Sequence, residues 1–264
     1  MSQKPDLRLR KRFGQHFLHD PAILGRLVSV IAPQPNQFLV EIGPGLGALT
    51  LPLLRAADQL IAIELDRDLI PLLQERCTGI GNLVLHQADA LSFDFLTLPR
   101  PLRIVGNLPY NVATPILFHL LDQLYEEGAP KFVDMHFLLQ REVVDRMAAK
   151  PGESAYGRLS VMIQYRCEVT RLFLVPAGAF RPPPKVESAV VRLKPHLIPP
   201  VKILDIARFS SLVRQAFSQR RKTIRNNLRG WLTENEIQSV GVDLGARPEV
   251  LSLEQFAKLA ELMH

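Results

Sequence analysis

Glu41-Ile42-Gly43-Pro44-Gly45-Leu46-Gly47 follows the apolar run Phe38–Ile42 and leads into a helical pattern over residues 46–57. Glycine adopts backbone conformations that a Cβ forbids, so a strand, a glycine turn and a helix in succession mark a loop that a ligand can approach closely. The spacing of Gly43, Gly45 and Ala48 also satisfies the dinucleotide fingerprint G-x-G-x-x-G/A, and Glu64 stands where a ribose-binding acid would be. On this stretch alone a nicotinamide enzyme stays open.

Outward from the loop, short apolar runs at 38–42, 60–63, 83–86, 102–105 and 132–139 alternate with helical patterns at 46–57, 66–77 and 114–127. That rhythm predicts an α/β fold, a mostly parallel sheet covered on both faces. Two more strand-like stretches, 166–175 and 188–193, bring the sheet to seven strands. Upstream, Asp20 and Pro21 read as the cap and first position of a helix over 22–31. Downstream, the prolines of residues 195–200 read as a stiff linker, followed by Phe209, Leu212, Val213, Ala216 and Phe217 at helical spacing and a last helix over 253–263. The expected boundaries are 1–12 for a basic N-terminal arm, 13–200 for the α/β domain and 201–264 for a small helical domain.

Hydrophobic residues make up 47% of the 264, enough for a real core, and the formal charge of +6 points to a polyanionic partner if the charge is clustered. Cys77 and Cys167 lie far apart with no second Cys or His at ligand spacing, so two buried, reduced thiols are expected and no metal site is. No apolar stretch approaches the length of a membrane span, which places the chain in the cytoplasm, with no membrane partner.

Acids decide the ligand. Glu41, Glu64 and Asp89 end three successive strands, and Pro44 stiffens the glycine loop. Carboxylates so placed would repel a pyrophosphate but hold ribose hydroxyls, an adenine amino group and a cationic centre. S-adenosylmethionine carries all three. The fourth strand runs into Gly106-Asn107-Leu108-Pro109-Tyr110, where an amide, a proline of fixed φ and an aromatic ring could grip a flat, weakly basic amine. Read alone, the same residues make an ordinary strand-to-loop turn.

Seven stretches together resemble the ribosomal RNA adenine dimethyltransferases, specifically the small-subunit type that dimethylates two adjacent adenosines in the hairpin near the 3′ end. They are residues 14–18, 41–47, Glu64, Asp89, 107–110, 180–188 (Phe-Arg-Pro-Pro-Pro-Lys-Val-Glu-Ser) and 220–228 (Arg-Arg-Lys-Thr-Ile-Arg-Asn-Asn-Leu). The resemblance implies a class I S-adenosylmethionine-dependent methyltransferase fold. It implies that Gly43 and Gly45 line the cofactor, that Glu64 takes the ribose hydroxyls, that Asp89 receives the adenine amino group, and that His16 and Leu18 cover the open side. Asn107 and the carbonyl of Leu108 or Pro109 would accept the two hydrogens of the target amine, leaving its lone pair aimed at the methyl group. Tyr110 would stack on the base and Phe180 would close its opposite face.

Arg214, Arg220, Arg221, Lys222, Arg225 and Arg229 fall in one helical region without an intervening acid. With Lys185 and the N-terminal arm they form the expected RNA-facing surface, Arg220, Arg221, Lys222 and Arg225 foremost. The expected partner is small-subunit rRNA within an immature ribosomal particle, met by a monomer. Two alternatives stay open: a large-subunit rRNA adenine dimethyltransferase of the macrolide-resistance type, and a non-catalytic assembly or transcription factor on the same fold.

Overall fold

The structure is a computed structural model that describes residues 16–126 and 128–263; the expected basic arm at 1–12 and residues Phe13, Gly14 and Gln15 lie outside them. Its elements run β1 (Phe17–Leu18), α1 (Pro21–Ile31), β2 (Phe38–Ile42), α2 (Thr50–Ala57), β3 (Gln59–Glu64), α3 (Ile70–Cys77), β4 (Asn82–Gln87), β5 (Leu102–Asn107) and α4 (Ala113–Asp122). Then come β6 (Tyr125–Glu126), β7 (Ala129–Pro130), β8 (Phe132–Gln140), α5 (Arg141–Ala148), α6 (Arg158–Arg166), β9 (Cys167–Val175), β10 (Phe180–Arg181) and β11 (Ser188–Pro195). The helices α7 (Ile206–Ala216), α8 (Ile224–Asn227), α9 (Glu234–Ser239) and α10 (Leu253–Glu261) complete the chain.

Seven strands form one sheet in the order β4-β3-β2-β5-β8-β11-β9, and β2–β3, β3–β4, β2–β5 and β5–β8 pair in parallel. The strand order reverses between β2 and β5. Loops leaving those two strands diverge, so a crevice opens at their carboxyl ends, where open α/β sheets bind ligands. The two strands run close together there: a Cβ on Gly106 would stand 2.7 Å from the Ile42 carbonyl oxygen.

A buried charge network fixes α1 on this sheet. Asp20 starts the helix by accepting from the Ala22 and Ile23 amides at 2.8 and 3.1 Å, donors that a helix start otherwise leaves unpaired. At the other end, Arg103 of β5 donates to the Ile31 carbonyl at 2.6 Å and to that of Ala32 at 3.3 Å. The same guanidinium grips Asp134 of β8 through two bonds of 2.9 Å. Charges removed from water persist only when paired and hydrogen-bonded in this way.

Two compact units emerge: Met1–Arg141 with Arg171–Arg192, and Glu142–Thr170 with Leu193–His264. This division interleaves, unlike the single boundary read from the prolines near residue 200. Within the second unit, Tyr165 of α6 meets Phe209 of α7 at 5.4 Å between ring centroids, and Phe217 meets Phe256 of α10 at 5.6 Å, so α6 shares a core with residues far downstream. Sequence periodicity did not reveal α5 or α6.

Three helix ends also differ from expectation. Residues 46–49 form a turn before α2, because Gly43, Gly45 and Gly47 all take positive φ, and the Gly47 amide bonds the Pro44 carbonyl at 2.9 Å. Residues 66–69 form another, closed by Asp68 N–H on the Asp66 carboxylate at 3.1 Å, so α3 starts at Ile70. α4 ends at Asp122, and β6 and β7 pair antiparallel where more helix was expected. Cys77 and Cys167 are buried free thiols.

Candidate active site

One cavity of about 180 Å³ lies at the carboxyl ends of β2, β3, β4 and β5. His16, Leu18, Gly43, Gly45, Glu64, Asp89 and Asn107, the residues expected at the cofactor, all line it, together with Leu108, Pro109 and Tyr110. The glycine loop and Glu64 form a single turn. The buried Glu64 carboxylate accepts from the Gly45 amide at 3.0 Å and from the Asp66 amide at 2.8 Å, and burial raises its pKa against those two bonds. The carboxylate keeps a lone pair for a hydroxyl. Glu41 lies deeper, 2% exposed, and accepts from Thr50 Oγ1 at 2.6 Å. Burial pushes its carboxyl up to about 7, with nearby Glu64 adding to the shift and Thr50 opposing it. Asp89 is exposed on the far side, where it accepts from the Leu91 amide at 2.9 Å.

Over the cavity passes β1, two residues long, paired antiparallel with β10 so that Leu18 faces Phe180 and Phe17 faces Arg181. The Asn107 Nδ2 donates to the His16 carbonyl at 2.9 Å. A carbonyl can only accept, so the amide nitrogen must occupy that side, and Oδ1 is left to accept from a ligand. The same logic puts a proton on His16 Nδ1, which donates to the Pro182 carbonyl at 2.8 Å. Tyr110 is held from two directions: its hydroxyl lies 2.5 Å from Oγ of the buried Ser188, and its ring lies 5.4 Å from that of His16. Burial raises the phenol's pKa, so it stays protonated at neutral pH.

Phe180 departs from the expected arrangement. It is 2% exposed, sits in the apolar cluster with Leu18 and Val190, and does not line the cavity, because pairing with β1 turns its ring into the core. Sequence reasoning missed two residues, Ser188 as the anchor of Tyr110 and His136 on the cavity floor. The only signal for His136 was an imidazole inside the apolar run 132–139, at the same strand parity as Leu138.

The basic residues lie elsewhere. Lys185 is exposed in the loop between β10 and β11. Arg220, Arg221 and Lys222 occupy a turn between α7 and α8, not a continuous helix. Buried Asn227 closes this turn by donating Nδ2 to the carbonyls of Ala216, Gln219 and Lys222 at 2.6, 3.2 and 3.5 Å. Arg220 donates to the Ser154 carbonyl at 2.9 Å, and Arg225 lies 3.8 Å from Glu234. Arg221 and Lys222 point into solvent.

A mostly parallel doubly wound sheet with a glycine loop after one strand and acids ending its neighbours defines a class I S-adenosylmethionine-dependent methyltransferase fold. Among solved structures, a dimethyladenosine transferase from Plasmodium falciparum aligns with a TM-score of 0.74 and 26% identity, over 92% of this chain and 96% of that one. The 23S rRNA methyltransferase ErmE aligns at 0.72 and 27%, over 93% and 98%. The chain belongs to the ribosomal RNA adenine dimethylase family, whose profile it matches over residues 6–264. Its relatives include the ribosomal RNA small subunit methyltransferase A of Nitrosococcus oceani, 57% identical over 96% of this chain and 95% of that protein. The protein of the same name from Chromohalobacter salexigens is 53% identical over 98% and 93%.

Proposed function

We propose that the chain uses S-adenosylmethionine to dimethylate the exocyclic amines of two adjacent adenosines in the 3′-terminal hairpin of small-subunit rRNA, acting as a monomer on an immature particle in the cytoplasm. Identity of 53–57% to proteins named for the small subunit, against 27% to ErmE, supports this substrate over large-subunit rRNA. The cavity fits the cofactor: acceptors stand ready for hydroxyl and amino groups, and Gly43 and Gly45 place bare backbone against it. When bound, S-adenosylmethionine supplies an electrophilic methyl group on a sulfonium, whose leaving group is a neutral thioether.

The observation that carries the reading is the orientation of Asn107. Adenine's exocyclic nitrogen is a poor nucleophile because its lone pair is delocalised into the ring. Asn107 Oδ1, already turned away from His16, accepts one of its hydrogens. The Pro109 carbonyl is engaged by the Val112 amide at 3.1 Å, which favours the Leu108 carbonyl as the second acceptor. Two acceptors so placed favour a pyramidal nitrogen with its lone pair directed at the methyl group, and being preformed they cost no reorganisation. Tyr110, pinned by Ser188, offers its ring face to the unstacked base. After one methyl is added a single hydrogen remains, so the second transfer requires the amine to rotate between acceptors.

Labelled S-adenosylmethionine, offered separately to immature small and large ribosomal particles, tests the substrate. Label is expected on two adjacent adenosines of the small-subunit RNA; its absence there would overturn the assignment.

A further inference from the structure

Trp231 lies between α8 and α9 with much of its ring left at the surface, and the reaction as derived does not use it. The residue is 39% exposed, while Leu228 and Leu232 on either side of it are buried. Among the described residues it is the one aromatic side chain classed with the exposed ones. Tryptophan is large and highly buried on average, so an indole kept in water points to something that covers it.

The ring is carried on a fixed backbone. The Trp231 and Leu232 amides both donate to the Leu228 carbonyl, at 2.9 and 3.0 Å, around Gly230 at φ 82°. Past the ring, Thr233 opens α9 with a reciprocal cap: its Oγ1 accepts from the Glu236 amide at 3.2 Å, and its own amide donates to the Glu236 carboxylate at 2.6 Å. A platform held in place beforehand loses little freedom when a ligand settles on it.

Charge indicates what the ligand is. Between Asp205 and Glu234 the chain carries no acid, and Arg221, Lys222, Arg225 and Arg229 are all exposed. α8 is four residues, about 6 Å, long, so the cationic turn at its start and the ring just past its end are close neighbours. Asn227 ties that turn to α8 through its three carbonyl bonds, and Leu228 ties the ring to the same helix. Of the acids that follow, Glu234 lies against Arg225 and Glu236 is engaged in the cap. Cations beside an exposed ring suit a single strand of nucleic acid, whose phosphates they neutralise while an unpaired base lays its face on the indole. A duplex keeps its bases stacked on one another and offers the ring no such face.

We propose that Trp231 is a stacking platform for one unpaired base of the RNA strand whose phosphates Arg221, Lys222 and Arg229 hold. This rests on the RNA reading above and deepens it: the helical unit takes an unpaired segment of the RNA, away from the adenosines that are methylated.

Trp231 is the one tryptophan of the chain, so its fluorescence, excited where tyrosine does not absorb, reports on the ring itself. The full chain is titrated with single-stranded oligouridylate, which offers the active site no amine, and with duplex RNA of equal length. The single strand should quench the indole and the duplex should not. Trp231→Ala should lose about fivefold or more in affinity for oligouridylate, measured by anisotropy of a labelled strand, while holding the duplex within about twofold; Trp231→Phe should recover most of the loss. Removing the ring removes no charge, so the slope of log affinity against log salt should stay unchanged in Trp231→Ala and fall by about 0.7 in Arg229→Ala. If the Ala variant does not fold, quenching of the wild type decides. Oligouridylate that binds without quenching, or equal loss for single strand and duplex, would overturn the proposal. Quenching by ribosomal particles alone would do the same and give the ring to a protein surface. A wild type that binds neither RNA would instead remove the RNA reading of this unit.

Discussion

Replacing Glu41 with Gln should change how stability depends on pH, by an amount the structure fixes. The carboxyl titrates near 4.5 when unperturbed and at about 7 in the folded chain, because burial disfavours its charge. Between those values the folded protein keeps a proton that the unfolded chain releases, so stability falls as pH rises, by about 1.4 kcal/mol per unit. The contribution is fully present below pH 4.5 and gone above pH 7, roughly 3 kcal/mol in all. His136 acts with the opposite sign: its pKa drops from 6.5 to about 4, so the folded chain declines a proton the unfolded chain takes, and stability is lost as pH falls through that window. Over the shared range the two offset, and the wild-type profile carries little trace of either. Gln keeps an oxygen for Thr50 but no titrating proton, so the stability of Glu41→Gln minus that of the wild type should climb by roughly 3 kcal/mol from pH 4.5 to 7.5. Hydrogen exchange of β2 and β3 amides at pH 5, 6, 7 and 8 measures this where it acts; the one tryptophan, Trp231, lies in the other unit. A difference that stays constant with pH would refute the reasoning.

Asn107→Ala should bind S-adenosylmethionine nearly as the wild type does yet transfer methyl groups more than about tenfold slower in single turnovers, because its oxygen acts mainly in the transition state; near-normal transfer would remove Asn107 from catalysis. Glu64→Ala should weaken cofactor binding and loosen the glycine loop, since the Gly45 and Asp66 amides both lose their acceptor; unchanged affinity by calorimetry would count against the ribose assignment. Gly106→Ala should cost about 2 kcal/mol in urea titrations, as its methyl would stand 2.7 Å from a backbone oxygen that cannot move without parting β2 from β5. Arg221→Ala with Lys222→Ala should lower RNA affinity and reduce the slope of log affinity against log salt by about 2, and an unchanged slope would place the phosphate contacts elsewhere.

The sheet was legible because apolar runs bounded by turn residues are dictated locally, and all seven strands lie at or near the positions read from them. So was the gathering of Gly43, Glu64, Asp89 and Asn107, since parallel strands that share a carboxyl edge must bring their last residues together. The starts of α2 and α3 were not, because periodicity continues through 46–49 and 66–69 while positive-φ glycines and the Asp66 side chain hold the backbone in turns. Phe180 could not be placed from sequence, since its burial depends on pairing with Leu18, 162 positions earlier. Nor could the division between units, in which α6 joins residues far downstream, as Tyr165 meeting Phe209 illustrates. The charge of Glu41 was misjudged for a related reason: depth beneath the loop, not position in a strand, keeps it near half-protonated.

The bond from Asn107 to the His16 carbonyl also restricts which side chains position 107 can hold. That residue faces a pure acceptor on one side and, in the proposed reaction, a pure donor on the other. Asp would set lone pairs against the His16 oxygen, Ser would be too short to reach both, and Gln would carry its amide one methylene further from β5. A primary amide of this length is the one side chain with a donor and an acceptor rigidly opposed at that reach. The segment leading into β1 and the proposed catalytic amide therefore form a single interlocking part, so a drift in backbone position at residue 16 would be felt as a loss of aim at residue 107.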